Sequence, residues 1–201
     1  MTRNKAKDLR VEEIVHAAVE EFLDKGYEKA SMEGIALRSG LSKGGLYHHF
    51  GSKDEILIYV VKKINEPLYK LFNRVSAEGS AISALEMYIE EYMQFWINNP
   101  KHVIFYFISM VKAFQDRNLT EIYMGFTEEL IPFLELILNR GMEKGEFKEH
   151  NSYIRALALQ SAMDGMMGYM MFDPSLNREE IISGFRDVFI NDLLKPGMNK
   201  S

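Results

Sequence analysis

Ser39-Gly40-Leu41-Ser42-Lys43-Gly44-Gly45-Leu46-Tyr47-His48-His49-Phe50-Gly51-Ser52-Lys53 is the stretch of this 201-residue chain that decides its fold. Ser42 and Ser52 each precede a helical pattern, which places them as N-caps whose hydroxyls accept first-turn amides. Gly40 makes the turn between a short helix opened by Ser31 and a second one over roughly Lys43 to His49. Two short helices joined by a tight glycine turn have the sequence form of a helix-turn-helix. From Arg38 to Lys53 there are three basic residues, two histidines and no acid. Free amides at helix starts attract anions, and Lys43, Tyr47, His48 and Lys53 add donors suited to a phosphate backbone. Gly44 and Gly45 are poor helix formers, at about 1 kcal/mol each. They fit close approach of the backbone to a surface, or a loosely formed helix start.

Working outward, the preceding segment from about Leu9 to Lys25 carries Ile14, Val15, Ala18, Phe22 and Leu23 at helical spacing, one buried stripe. Gly26 is placed to end that helix in a left-handed conformation. Before it, Arg3, Lys5, Lys7 and Arg10 face one acid, Asp8. On the other side, Ser52-Lys53-Asp54-Glu55 fits a capping box opening a long helix to about Val75, with Pro67 expected to kink or break it. Further helices follow over about 81–98, 100–114, 119–144, 152–172 and 178–194. Asn99-Pro100 reads as N-cap and first-turn proline, Pro132 as a second kink, Asp173-Pro174 as a turn and Asn177-Arg178-Glu179-Glu180 as another capping box. No segment alternates as a strand does, and the tail from Lys195 is expected to fray. The class is all-α, with about nine helices.

Charge divides unevenly. The chain carries a net −5, yet residues 1–53 hold 9 basic and 8 acidic side chains, so a small, locally basic module begins an acidic protein. The boundary falls near Gly51 with no flexible linker, giving domains 1–51 and 52–201. Zero cysteines exclude a disulfide framework and a thiolate metal site. The polar start is unlike a signal peptide, and no apolar run approaches the ~20 residues that span a bilayer. A cytoplasmic protein without membrane contact is the expectation. The five histidines lack metal-ligand spacing, and no phosphate-binding loop, Gly-x-Ser-x-Gly or His-Glu-x-x-His motif appears. No catalytic residue, metal or cofactor is therefore expected. Glu90-Glu91 and Glu128-Glu129 read as solvated helix faces.

Residues 14–57 resemble the DNA-binding domain of TetR-type (tetracycline-repressor-like) transcriptional regulators. The resemblance rests on Ile14, Ala17, Ala18, Phe22, Gly26-Tyr27, Ser31, Ile35-Ala36 and above all the run from Gly40 to Lys53, followed by Asp54-Glu55-Ile56-Leu57. Gly145-Glu146-Phe147 and Asp164-Gly165 resemble short patches of the same family further on. The resemblance implies that the helix from Ser42 to His49 enters the major groove. It places Lys43, Gly44, Gly45 and His48 toward base edges, Tyr47 and Lys53 on phosphates, with Ser42 and Ser31 at helix starts, and Leu46 and Phe50 in the core. Glu33 departs from a DNA-facing pattern, because a carboxylate near phosphate is repulsive. It reads a cytosine amino group or simply caps the helix, and the cap is the preferred reading.

The family further implies a homodimer built from the last two long helices, binding double-stranded operator DNA, and a small-molecule effector cavity in domain 52–201. Ala158, Ala162, Gly165 and Gly168 give one of those helices a small-residue stripe. Phe185 and Phe189, with Ile181 and Val188, give the other an apolar face. These stripes fit a dimer interface or an intrachain core. The aromatic and methionine residues Phe72, Tyr92, Trp96, Phe107, Met110, Phe114, Tyr123, Met163 and Met167 fit plain core at helical spacing. Under the resemblance they line a mostly apolar pocket with polar handles at Tyr92, Gln115 or Asp164. The function implied is a sequence-specific repressor released by an apolar or aromatic effector. A helical protein-interaction module without DNA binding is the alternative.

Overall fold

The computed structural model of the chain describes residues 3–173 and 175–195, and side chains from Leu9 onward within them. The basic side chains of Arg3, Lys5 and Lys7, the Pro174 half of the Asp173-Pro174 turn and the tail beyond Lys195 lie outside the described residues. The described chain forms α1 (Arg3–Lys29), α2 (Met32–Arg38), α3 (Lys43–Tyr47), α4 (Lys53–Ala77), α5 (Ala81–Ile97), α6 (Pro100–Ala113), α7 (Arg117–Glu143), α8 (Ser152–Phe172) and α9 (Arg178–Phe189), then a single 3-10 turn at Asn191–Leu193. Two compact units result. One gathers the chain up to Glu66 with Lys101–Tyr123, and the other Pro67–Pro100 with the chain from Met124 onward.

In the first unit the local signals determine the helix ends. Gly26 has φ 70° and ψ 165°, a conformation closed to L side chains, and interrupts α1 where a terminator was expected. Ser31 and Ser42 accept from the Gly34 and Gly45 amides at 3.0 and 3.1 Å, and Gly40 turns the chain with φ 66°. Ser52 accepts from the Glu55 amide at 3.1 Å, while the Glu55 carboxylate reaches back to the Gly51 amide at 2.7 Å. The capping box is thus closed one residue earlier than its usual partner. Ile14, Ala18 and Phe22 are buried as their spacing predicts, whereas Val15 and Leu23 are only partly covered and Ala17 and Val19 take their places.

The first unit also buries a charge. The side chain of Glu21 is fully enclosed and accepts from Lys25 and Arg38, each at 2.7 Å. Arg38 continues to Asp24 at 2.5 Å, so α2 is tied to α1 through ionic hydrogen bonds. Burial alone pushes the Glu21 carboxyl up; the hydrogen bonds from Lys25 and Arg38 more than reverse this and keep it below its ordinary value. Along α1 lies α6. Lys101 pairs with Glu20 at 2.5 Å, Phe105 meets Phe22 at 6.0 Å between ring centres, and the Lys112 ammonium stands 4.9 Å from the Tyr27 ring. Positions 101, 105 and 112 share one helix face, which is why one helix can make all three contacts.

In the second unit, α5, α8 and α9 are capped by Ser80, Asn151 and Asn177, whose side chains accept first-turn amides. Neither proline breaks its helix: α4 continues past Pro67 and α7 past Pro132. The two units do divide at Pro67. Asn99 does not cap α6; its amide donates back to the Phe95 carbonyl at 2.7 Å. The last helix stops at Phe189 rather than near Leu194, because Ile190 leaves the helical path at φ −118° and ψ −60°. The Gly145-Glu146-Phe147 patch acquires a physical reason. Glu146 accepts from the Ser80 hydroxyl and the Ala81 and Ile82 amides at 2.9, 2.8 and 3.0 Å, a second cap on α5. Phe147 is fully buried, and Phe147 and Leu194 form an antiparallel bridge.

Candidate functional site

The local geometry of the helix-turn-helix exposes one short run. Of the predicted DNA-facing residues, Ser42, Lys43, Gly44, Tyr47 and His48 are exposed and Gly45 is partly covered. Leu46 and Phe50 are buried and hold the run in place. A Cβ on Gly44 would meet nothing within 4 Å, whereas one on Gly45 would lie 3.3 Å from the Ser42 hydroxyl. Gly44 is therefore the open position of the pair and Gly45 the crowded one. Ser31 is partly covered, its hydroxyl already engaged by Gly34.

Two charged residues behave differently from what their types suggest. The Lys53 ammonium turns inward and donates to the carbonyls of Tyr27, Ala30 and Glu28 at 2.6, 3.0 and 3.5 Å, while lying 4.3 Å from the Tyr27 ring. All three of its protons are committed to the carbonyls of the end of α1 and of Ala30 just beyond it, so Lys53 positions α4 against α1 and does not reach a phosphate in this arrangement. Burial lowers its pKa, and the nearby Lys112 charge acts in the same direction. Lys43 pairs with Glu33 across the helix-turn-helix. The hydrogen bond from Lys43 holds the Glu33 carboxyl below its ordinary value, and the same bond raises the Lys43 ammonium. The cap of α2 is Ser31, which leaves the Glu33 side chain for this ion pair. Lys43 also lies 5.9 Å from the Tyr47 ring.

These placements separate two substitutions. Lys53→Ala is expected to lower unfolding stability by ~1–3 kcal/mol, the worth of charged hydrogen bonds lost from a partly buried site, with the salt slope of DNA binding unchanged. Lys43→Ala is expected to leave stability alone and to relax discrimination at one base position, by ~1–3 kcal/mol. Denaturant titration and binding isotherms across salt concentrations and single-base operator variants measure the two effects. Glu33→Gln removes a phosphate-repelling charge and releases Lys43. It is expected to strengthen binding to unrelated DNA sequences more than to the operator, read as a smaller ratio of the two affinities.

The residues assigned to a ligand pocket divide between the units. In the second unit Phe72, Tyr92 and Trp96 lie with Tyr88 and Phe133, and Met163 and Met167 are buried. Phe72 meets Phe133 at 4.9 Å and Tyr88 at 6.2 Å, and Tyr92 meets Trp96 at 6.2 Å. Within this aromatic group runs a polar chain that residue types alone did not reveal. Tyr88 donates to Gln160 Oε1 at 2.5 Å, Gln160 donates to Tyr92 Oη and Asp164 Oδ1 at 2.8 and 2.7 Å, and Tyr92 donates to Asp164 Oδ1 at 2.8 Å. The spacings 88/92 and 160/164 are each one helical turn, the signal by which the cluster was readable. In the first unit Tyr123 bonds Ser109 at 2.5 Å and stacks edge-on with Tyr106. Phe107 and Met110 are partly covered. Phe114 is 82% exposed and encloses nothing, because it lies in the turn just after α6 ends at Ala113. Gln115 is exposed as well.

The interface residues also divide. Ala158 and Gly165 are exposed and Ala162 is half-buried, so α8 presents a small-residue face outward. Phe185, by contrast, is buried within its own unit and stacks on the half-buried Phe189 at 5.7 Å. Phe185 is core, because the apolar face of α9 is needed against its own helices. Tyr153, Ile154, Leu157, Tyr169 and Phe172 are exposed apolar residues of α8 that pattern reading did not select, and Val188 of α9, which it did select, is exposed too.

A three-helix unit with a capped, exposed second helix after a glycine turn defines a helix-turn-helix DNA-binding protein. The family profile described as "Bacterial regulatory proteins, tetR family" matches residues 14–60. The chain is 24% identical over 148 residues to the Fatty acid metabolism regulator protein of Bacillus subtilis, covering 72% of this chain and 74% of that protein. Two further curated relatives match over shorter stretches of 57 and 66 residues, which span 26% and 30% of their length. Among solved structures, the TetR family regulator PfmR from Thermus thermophilus is similar at 25% identity with a TM-score of 0.72, covering 93% of this chain and 99% of that one. The complex of SmeT with triclosan shares the fold at 21% identity with a TM-score of 0.80, covering 96% and 95%. Residues 14–60 thus carry the DNA-binding domain of a tetR-type bacterial regulator, and the described residues form an all-α fold similar to that of TetR-family transcriptional regulators. No helix among the described residues is long and apolar enough to cross a membrane.

Proposed function

We propose that the protein is a homodimeric, cytoplasmic repressor, and not an enzyme, which leaves its operator when a small, largely apolar effector binds the helical region after Gly51. The exposed run from Ser42 to His48 carries this reading: its side chains point away from the buried Leu46 and Phe50, with Lys43, Tyr47 and His48 available to a groove. Lys43 and His48 read bases, Tyr47 and the Ser42 helix start hold phosphate, and the open Gly44 lets the backbone come close. The outward small-residue face of α8 supports pairing of two chains, which would set two recognition helices about 34–36 Å apart on a near-palindromic site. The aromatic group around Tyr88, Tyr92 and Trp96, and a structural neighbour that binds triclosan, support an apolar effector. In this reading the DNA-binding domain is 1–51 and the effector and dimerisation domain 52–201.

A gel shift with DNA flanking the protein's own gene tests the proposal. Retardation of a near-palindromic fragment, lost with scrambled half-sites, is the expected result. Binding insensitive to the fragment's sequence overturns it.

A further inference from the structure

The hydrogens of the buried polar chain are all accounted for. An ionised carboxylate only accepts, so Tyr92 and the Gln160 amide must both donate to Asp164 Oδ1. That orients Gln160: with its Nε2 toward Asp164 and Tyr92, its Oε1 faces Tyr88 and accepts the Tyr88 proton. The two phenolic protons and both amide protons are thereby committed inside the cluster. Asp164 Oδ2 has no hydrogen-bond partner among the described residues, and Asp164 itself is only partly covered. No Lys, Arg or His among the described residues pairs with Asp164; its carboxyl is influenced by burial and by Tyr92 and Gln160. Tyr92, whose hydroxyl bonds Asp164, belongs to an aromatic group, 6.2 Å from Trp96 and 5.5 Å from Tyr88 between ring centres. Ring faces favour cations.

We infer that the effector carries a cationic amine, held by Asp164 Oδ2 beside Tyr88 and Tyr92, on an apolar body, and that an acid of the same shape is rejected. The inference rests on the proposed effector site and names its ligand class. A molecule entering beside Asp164 meets acceptors and one uncompensated negative charge. It must bring a donor, and a charged donor neutralises a carboxylate that would otherwise remain unpaired in a largely apolar setting. An anionic head group would place two carboxylates together without a cation.

The probes are 4-phenylbutylamine, 4-phenylbutanol and 4-phenylbutanoate, which share one body and differ in head group. Binding to the full-length protein is followed by Trp96 emission. At pH 7.5 the amine is expected to bind at least about tenfold tighter than the acid, with the alcohol between them. Burial pushes the Asp164 carboxyl up to about 6, so the preference should shrink as pH falls from 7.5 through 6 and the carboxylate protonates. The isosteric Asp164→Asn should abolish the preference while keeping the helical spectrum. The wild-type pH profile needs no variant and tests the same point. Tighter binding of the acid at pH 7.5, or an amine preference that survives in D164N, overturns this inference alone. Failure of all three probes to perturb Trp96 overturns both it and the proposed effector site.

Discussion

Gly34→Ala is expected to lower the melting temperature by roughly 2–12 °C, a cost of ~1–3 kcal/mol for forcing an extra carbon into a filled space. A Cβ at Gly34 would fall well inside contact distance of the Glu21 carboxylate. Glu21 cannot swing clear, since it is enclosed and held by Lys25 and Arg38, and moving it leaves a buried charge with fewer partners. The contrast lies ten residues on. Gly44→Ala meets open space and replaces a poor helix former, so it should leave the melting temperature unchanged or slightly raised while weakening operator binding. Differential scanning calorimetry and a binding isotherm for each variant separate the two glycines. Equal melting temperatures for G34A and the wild type would show that α2 can back away from α1 freely.

Gly165→Arg is expected to turn the protein into a monomer of 23.3 kDa and to weaken operator binding by at least about a hundredfold. Gly165 is exposed on α8 and a Cβ there would meet nothing within 4 Å, so a side chain can leave the helix there into open space. Replacing a mid-helix glycine favours the helix by about 0.5–1 kcal/mol. A second chain approaching along Ala158, Ala162 and Gly165 would instead meet a long charged side chain that it must bury. Sedimentation velocity at micromolar concentration, with a far-UV spectrum to follow helix content, measures the effect. A dimer that persists in G165R would remove α8 from the interface.

The parts of this molecule that were legible in its sequence are those that depend on near neighbours. Ser31, Ser42, Ser52 and Asn177 cap where they were expected to, because a cap needs only the amides two or three residues on. Periodicity likewise located Ile14, Ala18 and Phe22, yet it gives a face and not what covers it. Phe185 and Phe114 therefore exchanged their expected surroundings, one for the core and the other for solvent. Charged side chains were the least legible. Lys53 reaches carbonyls 23–26 residues away, and Lys43 a carboxylate ten residues away. Neither reach is encoded in the local pattern that marks both residues as basic. Asp164 was visible as a polar handle, but the direction of every hydrogen around it required knowing that Gln160 faces two tyrosines.

The chain from Phe147 to Leu194 is stitched at both ends. Phe147 pairs with Leu194, the Lys148 amide donates to the Leu193 carbonyl at 2.9 Å, and Lys195 returns to Glu146 at 3.3 Å. Arg155, near the start of α8, adds bonds to the Val188 carbonyl and Asp192 at 3.3 and 3.2 Å. The two helices that would face a partner thus form a closed hairpin loop, like a buckled strap. Their mutual orientation is settled when the single chain folds, so the ordering entropy of that face is already lost before two chains meet. Cutting the strap just after Phe189 should leave α8 and α9 intact as helices but slow to associate, because each encounter would have to arrange them anew.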